Sequence, residues 1–317
     1  MYTAAMTDAS KPGDAVADAL PGHWAERHLP AALLPYGRLA RIERPIGWWL
    51  LLLPCWWGLL LAEIAQGGGM PDPGYALLFL AGAIVMRGAG CTLNDIIDRN
   101  FDGRVERTRR RPIAAGQVTV AGAFVFLSFL SLLGLAVLLQ FNRYTIWLGI
   151  SSLALVAIYP FMKRITYWPQ FFLGLAFNWG ALVGWSAVQG GLAAAPIALY
   201  AGGILWTLAY DTIYAHQDMA DDLLVGIKST ALKFGDGSRP WLAFFFAAGL
   251  ALIALAFWLA GTGPLAHMGL AGAALHAAWQ LWRFRPGDPG RARQLFLSNR
   301  DLGLIIAGFL LLDCITR

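Results

Sequence analysis

An acidic stretch at residues 94–102 has the spacing of a cation site. Asn94, Asp98 and Asp102 recur every fourth residue, so on a helix they would lie on one face. Like charges at this spacing repel each other and destabilise a bare helix, so something must compensate them. Their oxygen atoms are the ligands that a hard cation such as Mg²⁺ prefers. The stretch therefore predicts part of a magnesium site.

A second acidic stretch, at residues 211–222, has a similar pattern. We expect its acidic and phenolic members to share one face of a helix at i, i+3, i+7 and i+11: Asp211, Tyr214, Asp218 and Asp222. Two facing groups of carboxylates suit one task, which is to hold Mg²⁺ ions that bridge a diphosphate. The alternative is that both stretches are simply solvated loops. Helical spacing in both stretches, at corresponding places in two halves of the chain, makes this explanation weaker.

The charges of such a site require basic partners. Four carboxylates and a diphosphate would leave the site negative even with two Mg²⁺ ions, so nearby cations should help the diphosphate to leave. The basic residues that the sequence offers near the ends of the same segments are Arg44, Arg107, Arg111, Lys163 and Arg164. Each of them has an alternative explanation as a charge that sets membrane topology.

The composition places these residues in a membrane protein. Of 317 residues, 58% are hydrophobic and only 14% are charged, whereas soluble domains carry roughly 25% charged residues. A net charge of +5 would suggest nucleic acid in a soluble protein. Here the basic residues cluster between apolar segments, so we expect no nucleic-acid partner.

The chain contains nine segments that are close to the length needed to span a bilayer. They cover residues 46–65, 74–93, 118–140, 144–160, 168–188, 196–215, 241–260, 264–282 and 301–316. The loops after the even-numbered segments hold nearly all the basic residues, which predicts a cytoplasmic N-terminus. We expect an all-α membrane domain over residues 37–317 and a flexible cytoplasmic tail over residues 1–36.

The positions of the two acidic stretches suggest an internal duplication. Each follows the second segment of a group of four, so segments one to four and five to eight are predicted to be two four-helix pseudo-repeats. With a ninth helix, these would enclose a central cavity. An apolar cavity of this kind would accommodate an isoprenoid chain.

These features together resemble the UbiA superfamily of intramembrane aromatic prenyltransferases. Members carry an Asn-x3-Asp-x3-Asp motif and a second Asp-x3-Asp motif, which residues 94–102 and 218–222 match. Several runs are similar to the branch that acts on 4-hydroxybenzoate: RIERPIG at 41–47, LLLPCWW at 51–57, RTRRRPI at 107–113, YPFMKR at 159–164, WPQ at 168–170 and DTIYA at 211–215.

The resemblance implies Mg²⁺-dependent transfer of a polyprenyl group from polyprenyl diphosphate to 4-hydroxybenzoate, ortho to the hydroxyl, on the route to ubiquinone. It assigns the metal to Asn94, Asp98, Asp102, Asp218 and Asp222. Lys163 and Arg107 would be the main residues that stabilise the departing diphosphate. Arg111 and Arg164 would help to bind it.

The remaining roles concern the acceptor and the carbocation. We expect Asp211 to orient or deprotonate the phenol and Arg44 to pair with the benzoate carboxylate. The ring of Tyr214 would stabilise the allylic cation through its π face.

Three alternatives remain at this stage. One is a different aromatic acceptor within the family, such as homogentisate or a naphthoate. Another is an ion-coupled transporter, which should carry its acidic groups nearer the bilayer midplane. The third is a non-catalytic lipid-binding membrane protein, which would leave the two acidic motifs unexplained. Membrane lipid is an expected partner, and the sequence indicates no obligate protein partner. We expect a bacterial inner membrane rather than a mitochondrial one, because the N-terminus contains Asp and lacks an Arg-rich amphipathic pattern.

Overall fold

The computed structural model describes residues 23–103 and 108–317. Within these ranges all regular secondary structure is helical, and there is no strand. The α-helices are α1 Trp24–His28, α2 Leu34–Leu39, α3 Ile46–Ala65, α4 Pro73–Asp102, α5 Val120–Leu138, α6 Arg143–Ile165, α7 Pro169–Gln189, α8 Ala194–Ala215, α9 Met219–Val225, α10 Thr230–Phe234, α11 Ser238–Ala260, α12 Pro264–Arg283 and α13 Pro289–Ile315.

The long helices follow the predicted membrane segments. Each of the nine segments coincides with one long helix among the described residues, from α3 to α8 and from α11 to α13. By length and hydropathy, seven stretches of the described chain are able to cross a membrane, and α8 and α12 are outside this set. The prediction of an all-α, multi-span protein is therefore confirmed, while two four-helix pseudo-repeats remain a prediction.

Two helices extend well beyond their predicted limits. Helix α4 continues to Asp102, and α13 begins at Pro289 rather than at residue 301. Asp288 caps the start of α13, because its carboxylate accepts a hydrogen bond from the backbone N–H of Arg291 at 3.0 Å. In α4 the acidic stretch stays helical because its carboxylates are bound by Arg and Lys side chains, described below.

The core of the bundle forms where α3 packs against α7. The contact is close because Gly58 and Gly184 carry no side chain, and a Cβ at either position would overlap the backbone of the facing helix. Trp57 and Trp206 meet in this core with ring centroids 5.0 Å apart. The indole N–H of Trp57 donates to the carbonyl of Gly303 on α13 at 3.0 Å, so its one polar atom is satisfied.

The outer helices α5 and α6 present large apolar side chains to their surroundings. Phe129 and Trp147 are 55% and 70% exposed. Such side chains would be costly against water and suit the hydrocarbon of a bilayer.

The C-terminal ends of α4, α6 and α8 lie together at one end of the bundle. Lys163 near the end of α6 is ion-paired with Asp98 near the end of α4, and a single pocket includes Asp211 near the end of α8. This agrees with the predicted topology, in which these three ends are on the cytoplasmic side.

The expected flexible tail lies mostly outside the described residues. Its last part, from residue 23, includes α1 and the start of α2. The Arg38 guanidinium is ion-paired with Glu26 at 3.3 Å, which ties the two short helices together.

Candidate active site

A polar pocket of about 200 Å³ lies at the end of the bundle where α4, α6 and α8 terminate. Most of the predicted site residues line it, although they come from distant parts of the sequence. These are Asp98, Asp102, Arg111, Lys163, Asp211, Tyr214, Asp218 and Asp222. We call this the acidic pocket.

A larger cavity of about 550 Å³ adjoins the acidic pocket and runs between α3, α4, α6 and α7. Most of its lining is apolar. We call it the apolar cavity. Four residues line both spaces and mark their junction: Arg111, Tyr159, Asp211 and Tyr214. Asn94 and Arg44 line the apolar cavity but not the acidic pocket.

Asp98 is held by two cations from the end of α6. Its Oδ2 accepts from the ammonium of Lys163, and its Oδ1 accepts from Arg164 Nη2 at 2.8 Å. The Arg164 guanidinium also lies over the ring of Phe101, 4.6 Å from its centroid. This arrangement neutralises a buried carboxylate that would otherwise be costly.

Asp102 has a cation of its own. Arg111 Nη1 donates to both of its carboxylate oxygens, at 2.9 and 3.0 Å. The backbone carbonyl of Asp102 accepts from the Thr108 hydroxyl at 2.9 Å. This bond joins the end of α4 to the turns that carry Arg111.

The second acidic stretch is not one continuous helix, which corrects the expected common face. Helix α8 ends at Ala215, and Asp218 is the N-cap residue of the separate helix α9. The intervening backbone tightens into i→i−3 hydrogen bonds, such as Gln217 N–H to Tyr214 C=O at 2.9 Å. His216 is fixed by a 2.8 Å hydrogen bond with the Ser238 hydroxyl. The turn still keeps Asp218 in the acidic pocket.

The segment after α9 closes one side of the acidic pocket. The backbone N–H of Lys228 donates to the carbonyl of Lys163 at 2.8 Å. The side chain of Gln170, at the start of α7, accepts from the backbone N–H of Thr230 at 3.1 Å. These bonds join three elements around the pocket.

The predicted metal ligands share this region but are not gathered into a coordination cluster. In the part of the chain that the structure describes, no three His, Cys, Asp or Glu side chains approach closely enough to form one. The donor set nevertheless fits a hard divalent cation, because five carboxylates from two chain segments line one small pocket.

The other predicted residues are placed as follows. Arg107 lies outside the described residues. The Arg44 guanidinium is 3.6 Å from the carboxylate of Glu43. The ring of Tyr214 lies 4.3 Å from that of Phe296, and both rings line the apolar cavity.

Arg87 is a further residue of the apolar cavity, outside the acidic and basic motifs. It lies on α4 within a membrane-spanning stretch and lines the apolar cavity. Its Nε is buried without a hydrogen-bond partner, and its guanidinium lies 5.7 Å from the ring centroid of Phe177. The signal was present in the sequence, since a charged residue inside a membrane segment is by itself a functional indication.

The UbiA prenyltransferase family matches residues 51–305 of the chain. The chain belongs to this family. The prediction from the motifs is therefore confirmed at the level of the family, and the transporter alternative loses its support.

Individual relatives share about half of their residues with the chain. A protein from Drosophila melanogaster is 50% identical over 283 residues, which are 88% of this chain and 71% of the relative. One from Homo sapiens is 49% identical over 278 residues, 87% of this chain and 74% of the relative. One from Arabidopsis thaliana is 47% identical over 284 residues, 89% of this chain and 69% of the relative. All three are named mitochondrial 4-hydroxybenzoate polyprenyltransferase.

Solved structures of the family share the fold. A UbiA homolog from Aeropyrum pernix K1 superposes with a TM-score of 0.69 at 24% identity, covering 83% of this chain and 97% of that one. A UbiA homolog from Archaeoglobus fulgidus, bound to GPP and Mg²⁺, gives a TM-score of 0.68 at 19% identity, with 89% and 100% covered. At these identities the likeness concerns the fold alone.

The expected cellular location is wrong. The N-terminal composition predicts a bacterial inner membrane, but the named relatives at about 50% identity are mitochondrial. They point to the mitochondrial membrane instead. The N-terminal composition was a poor guide because it describes a short polar segment and not the membrane domain. The multi-pass membrane character is supported by the helices.

Proposed function

We propose that the protein transfers a polyprenyl group from a polyprenyl diphosphate to 4-hydroxybenzoate, at the carbon ortho to the hydroxyl, on the route to ubiquinone. The observation that carries this proposal is the junction of the acidic pocket with the apolar cavity. A prenyl diphosphate has the same division into a charged head and an apolar tail. The names of the relatives support the choice of acceptor.

The acidic pocket is suited to the head of the donor. Asp98, Asp102, Asp218 and Asp222 would hold Mg²⁺, with Asn94 beside them. When bound, the metal supplies positive charge that neutralises the diphosphate.

The basic side chains of the pocket are suited to the leaving group. Lys163, Arg164 and Arg111 already lie against the carboxylates, so they are within reach of a diphosphate bound among them. They would stabilise the charge that develops as the C–O bond of the allylic ester breaks. Arg107, from the same basic run as Arg111, remains a predicted member of this group.

The apolar cavity is suited to the prenyl chain and to the cation that forms on it. The tail would lie among the apolar side chains, which exclude water that would otherwise trap the cation as an alcohol. Tyr214 lines the junction and packs on Phe296. Its ring would present a π face to the allylic cation.

The acceptor would lie between Asp211 and Arg87. Asp211 lines the junction, where its carboxylate would orient the phenol and accept a proton as the ortho carbon forms its bond to the prenyl group. Arg87 and Asp211 line the same apolar cavity, as Arg44 does, and the buried Nε of Arg87 lacks a hydrogen-bond partner. Arg87 therefore joins Arg44 as a candidate to bind the benzoate carboxylate.

A prenyl-transfer assay tests the proposal directly. Purified protein in detergent receives geranyl diphosphate, labelled 4-hydroxybenzoate and Mg²⁺, with Asp98→Ala and Asp218→Ala as inactive controls. We expect a prenylated benzoate that is absent from both controls. If diphosphate is released but this product does not form, the donor ionises as proposed but 4-hydroxybenzoate is not the acceptor. Full activity in either variant would remove the assigned metal role.

A further inference from the structure

The carboxylate of Asp95, the second residue of the first acidic stretch, is bound by two arginines. Its Oδ1 and Oδ2 both accept from Arg41 Nη2, at 2.7 and 2.9 Å. Its Oδ1 is also 3.2 Å from Arg111 Nη1. The side chains of Asp95 and Arg41 are 1% and 7% exposed. A metal ion could bind this carboxylate only by displacing one of its arginine partners.

Arg111 is held between two carboxylates of the same helix. Asp95 and Asp102 are seven residues apart on α4, which is about two helical turns or 10 Å along the axis. Arg111 Nη1 contacts both of them. Arg111 also lines both the acidic pocket and the apolar cavity. Its guanidinium is therefore fixed from two sides at the junction where a donor's charged head would meet its tail.

The backbone at Arg41 indicates that this arrangement is strongly held. Arg41 has φ of 56°, a left-handed conformation that residues with a side chain seldom adopt. Such conformations persist where many surrounding contacts hold the residue in place. Burial alone would lower the pKa of the Arg41 guanidinium, but the negative groups around it, led by Asp95, together outweigh burial and raise it. Arg41 also donates from Nη1 to the carbonyl of Arg38 at 2.8 Å, which connects the network to α2.

We propose that Asp95 is a positioning residue for the prenyl donor, which it serves by fixing the guanidinium of Arg111 at the junction. Arg41 belongs to the same network, because it holds the carboxylate of Asp95 in place. Without the charge of Asp95, Arg111 would pair with Asp102 alone. The guanidinium would then be held from one side only, and its remaining donors would no longer be fixed in place for the diphosphate. This inference rests on the proposed function, because it requires a diphosphate donor.

The alternative is that Asp95 serves only to stabilise the fold. Replacing one partner of a buried ion pair is destabilising in any protein, so a lower melting temperature cannot distinguish the two roles. Coupling between Asp95 and Arg111 in donor binding can distinguish them. A purely structural role predicts no such coupling.

The test measures binding of geranyl thiolodiphosphate, a donor analogue that does not ionise readily, to the full-length protein in detergent with Mg²⁺. The variants are Asp95→Asn, Arg111→Lys and the double variant. Asp95→Asn should weaken binding about 10-fold, which is typical of a lost hydrogen bond to a charged group. Arg111→Lys should have a similar effect, because lysine lacks the planar fork of donors. The double variant should bind about as weakly as Arg111→Lys alone.

Conservative replacements and a matched control make the outcome decisive. Asp95→Glu keeps the charge and should recover part of the affinity. Asp288→Asn removes another aspartate that pairs with an arginine, since its Oδ2 lies 3.4 Å from Arg291 Nε on the surface, and should leave binding unchanged. If Asp95→Asn does not fold, Arg41→Lys carries the same test with a smaller expected loss.

Two results would overturn the inference: wild-type affinity in Asp95→Asn, or losses that simply multiply in the double variant. The assay contains no acceptor, so its result is separate from the choice of 4-hydroxybenzoate. If the wild type binds the analogue but does not prenylate that acceptor, the proposed function fails and the coupling between Asp95 and Arg111 is still measured. If the wild type does not bind the analogue, both proposals fall.

Discussion

Gly47 and Arg87 are packed so closely that a methyl group on Gly47 would overlap the guanidinium of Arg87. A Cβ at this position would lie 2.8 Å from both Cζ and Nη2 of Arg87, well inside van der Waals contact. Gly47 lies in the first turn of α3, and Arg87 lies on α4. The absent side chain at residue 47 is therefore what leaves room for a charged group in the apolar cavity.

Gly47→Ala should impair use of the acceptor more than it destabilises the fold. The clash falls on the end of a flexible side chain, so Arg87 will move while the helices stay in place. We expect a higher KM for 4-hydroxybenzoate, an unchanged KM for geranyl diphosphate and a nearly unchanged Tm. Gly308→Ala is the matched control, because a Cβ there meets nothing within 4 Å. Equal acceptor KM values for the two variants would contradict the assigned role of Arg87.

Arg87→Gln should lower kcat/KM for an acceptor that carries a carboxylate much more than for one that lacks it. Loss of a charge-assisted hydrogen bond costs about 1.5–3 kcal/mol, which corresponds to about 10- to 100-fold in kcat/KM. The loss should be seen with 4-hydroxybenzoate and be much smaller with a phenol that lacks the carboxylate. Arg285→Gln, at an exposed position, serves as the control. A loss of the same size with both acceptors would show that Arg87 acts on something other than the carboxylate.

The sequence was sufficient to predict the helices and the grouping of most site residues. Apolar segments long enough to span a bilayer leave the chain few alternatives to helices. The recurrence of acidic residues every fourth position correctly brought Asp98 and Asp102 to one pocket. Asp218 and Asp222 also reach that pocket, but through a turn after Ala215 and not on one helix. Helical periodicity cannot reveal such a turn, because it depends on a tertiary contact between His216 and Ser238.

The partners of the charged residues could not be predicted from the sequence. Nothing in the linear order shows that Arg41 would bind Asp95, because 54 residues separate them. The same applies to Lys163 and Asp98. These pairings depend on how the helices pack, and periodicity describes only one helix at a time.

Removal of divalent cations should abolish prenyl transfer reversibly. EDTA should stop formation of the prenylated benzoate, and added Mg²⁺ should restore it, because the carboxylates of the acidic pocket would otherwise repel a diphosphate. Binding of geranyl thiolodiphosphate should fall in parallel, which a calorimetric titration with and without EDTA will measure. Full binding in EDTA would contradict a metal role for Asp98 and Asp218.

Glu43→Gln should raise the Tm at neutral pH. Burial of Glu43 raises the pKa of its carboxyl above the ordinary value of 4.5, and its Oε1 lacks a hydrogen-bond partner. The protonated form is thus favoured by folding. The stability this provides is complete below the unfolded-state pKa and is lost as the pH rises through the folded-state pKa.

The measurement for Glu43 is a series of melting curves in detergent from acidic to neutral pH. Glutamine imitates the protonated carboxyl, so the variant should match the wild type at low pH and melt higher at pH 7. Glu26→Gln, which removes a carboxylate from a pair with Arg38 nearer the surface, should not show this rise. A lower Tm for Glu43→Gln at pH 7 would mean that the attraction between Glu43 and Arg44 outweighs burial.

Asp211→Asn should slow the transfer step while leaving donor binding intact. Asparagine keeps the size of the side chain but cannot accept a proton, and loss of a general base slows a reaction by about 10²- to 10⁴-fold. We expect kcat to fall by this amount, with the affinity for geranyl thiolodiphosphate changed little. Asp301→Asn, which replaces an aspartate with an exposed side chain on α13, should retain wild-type kinetics. If Asp211→Asn instead loses donor binding and turnover to the same extent, Asp211 belongs to the donor's binding site and the phenol role is wrong.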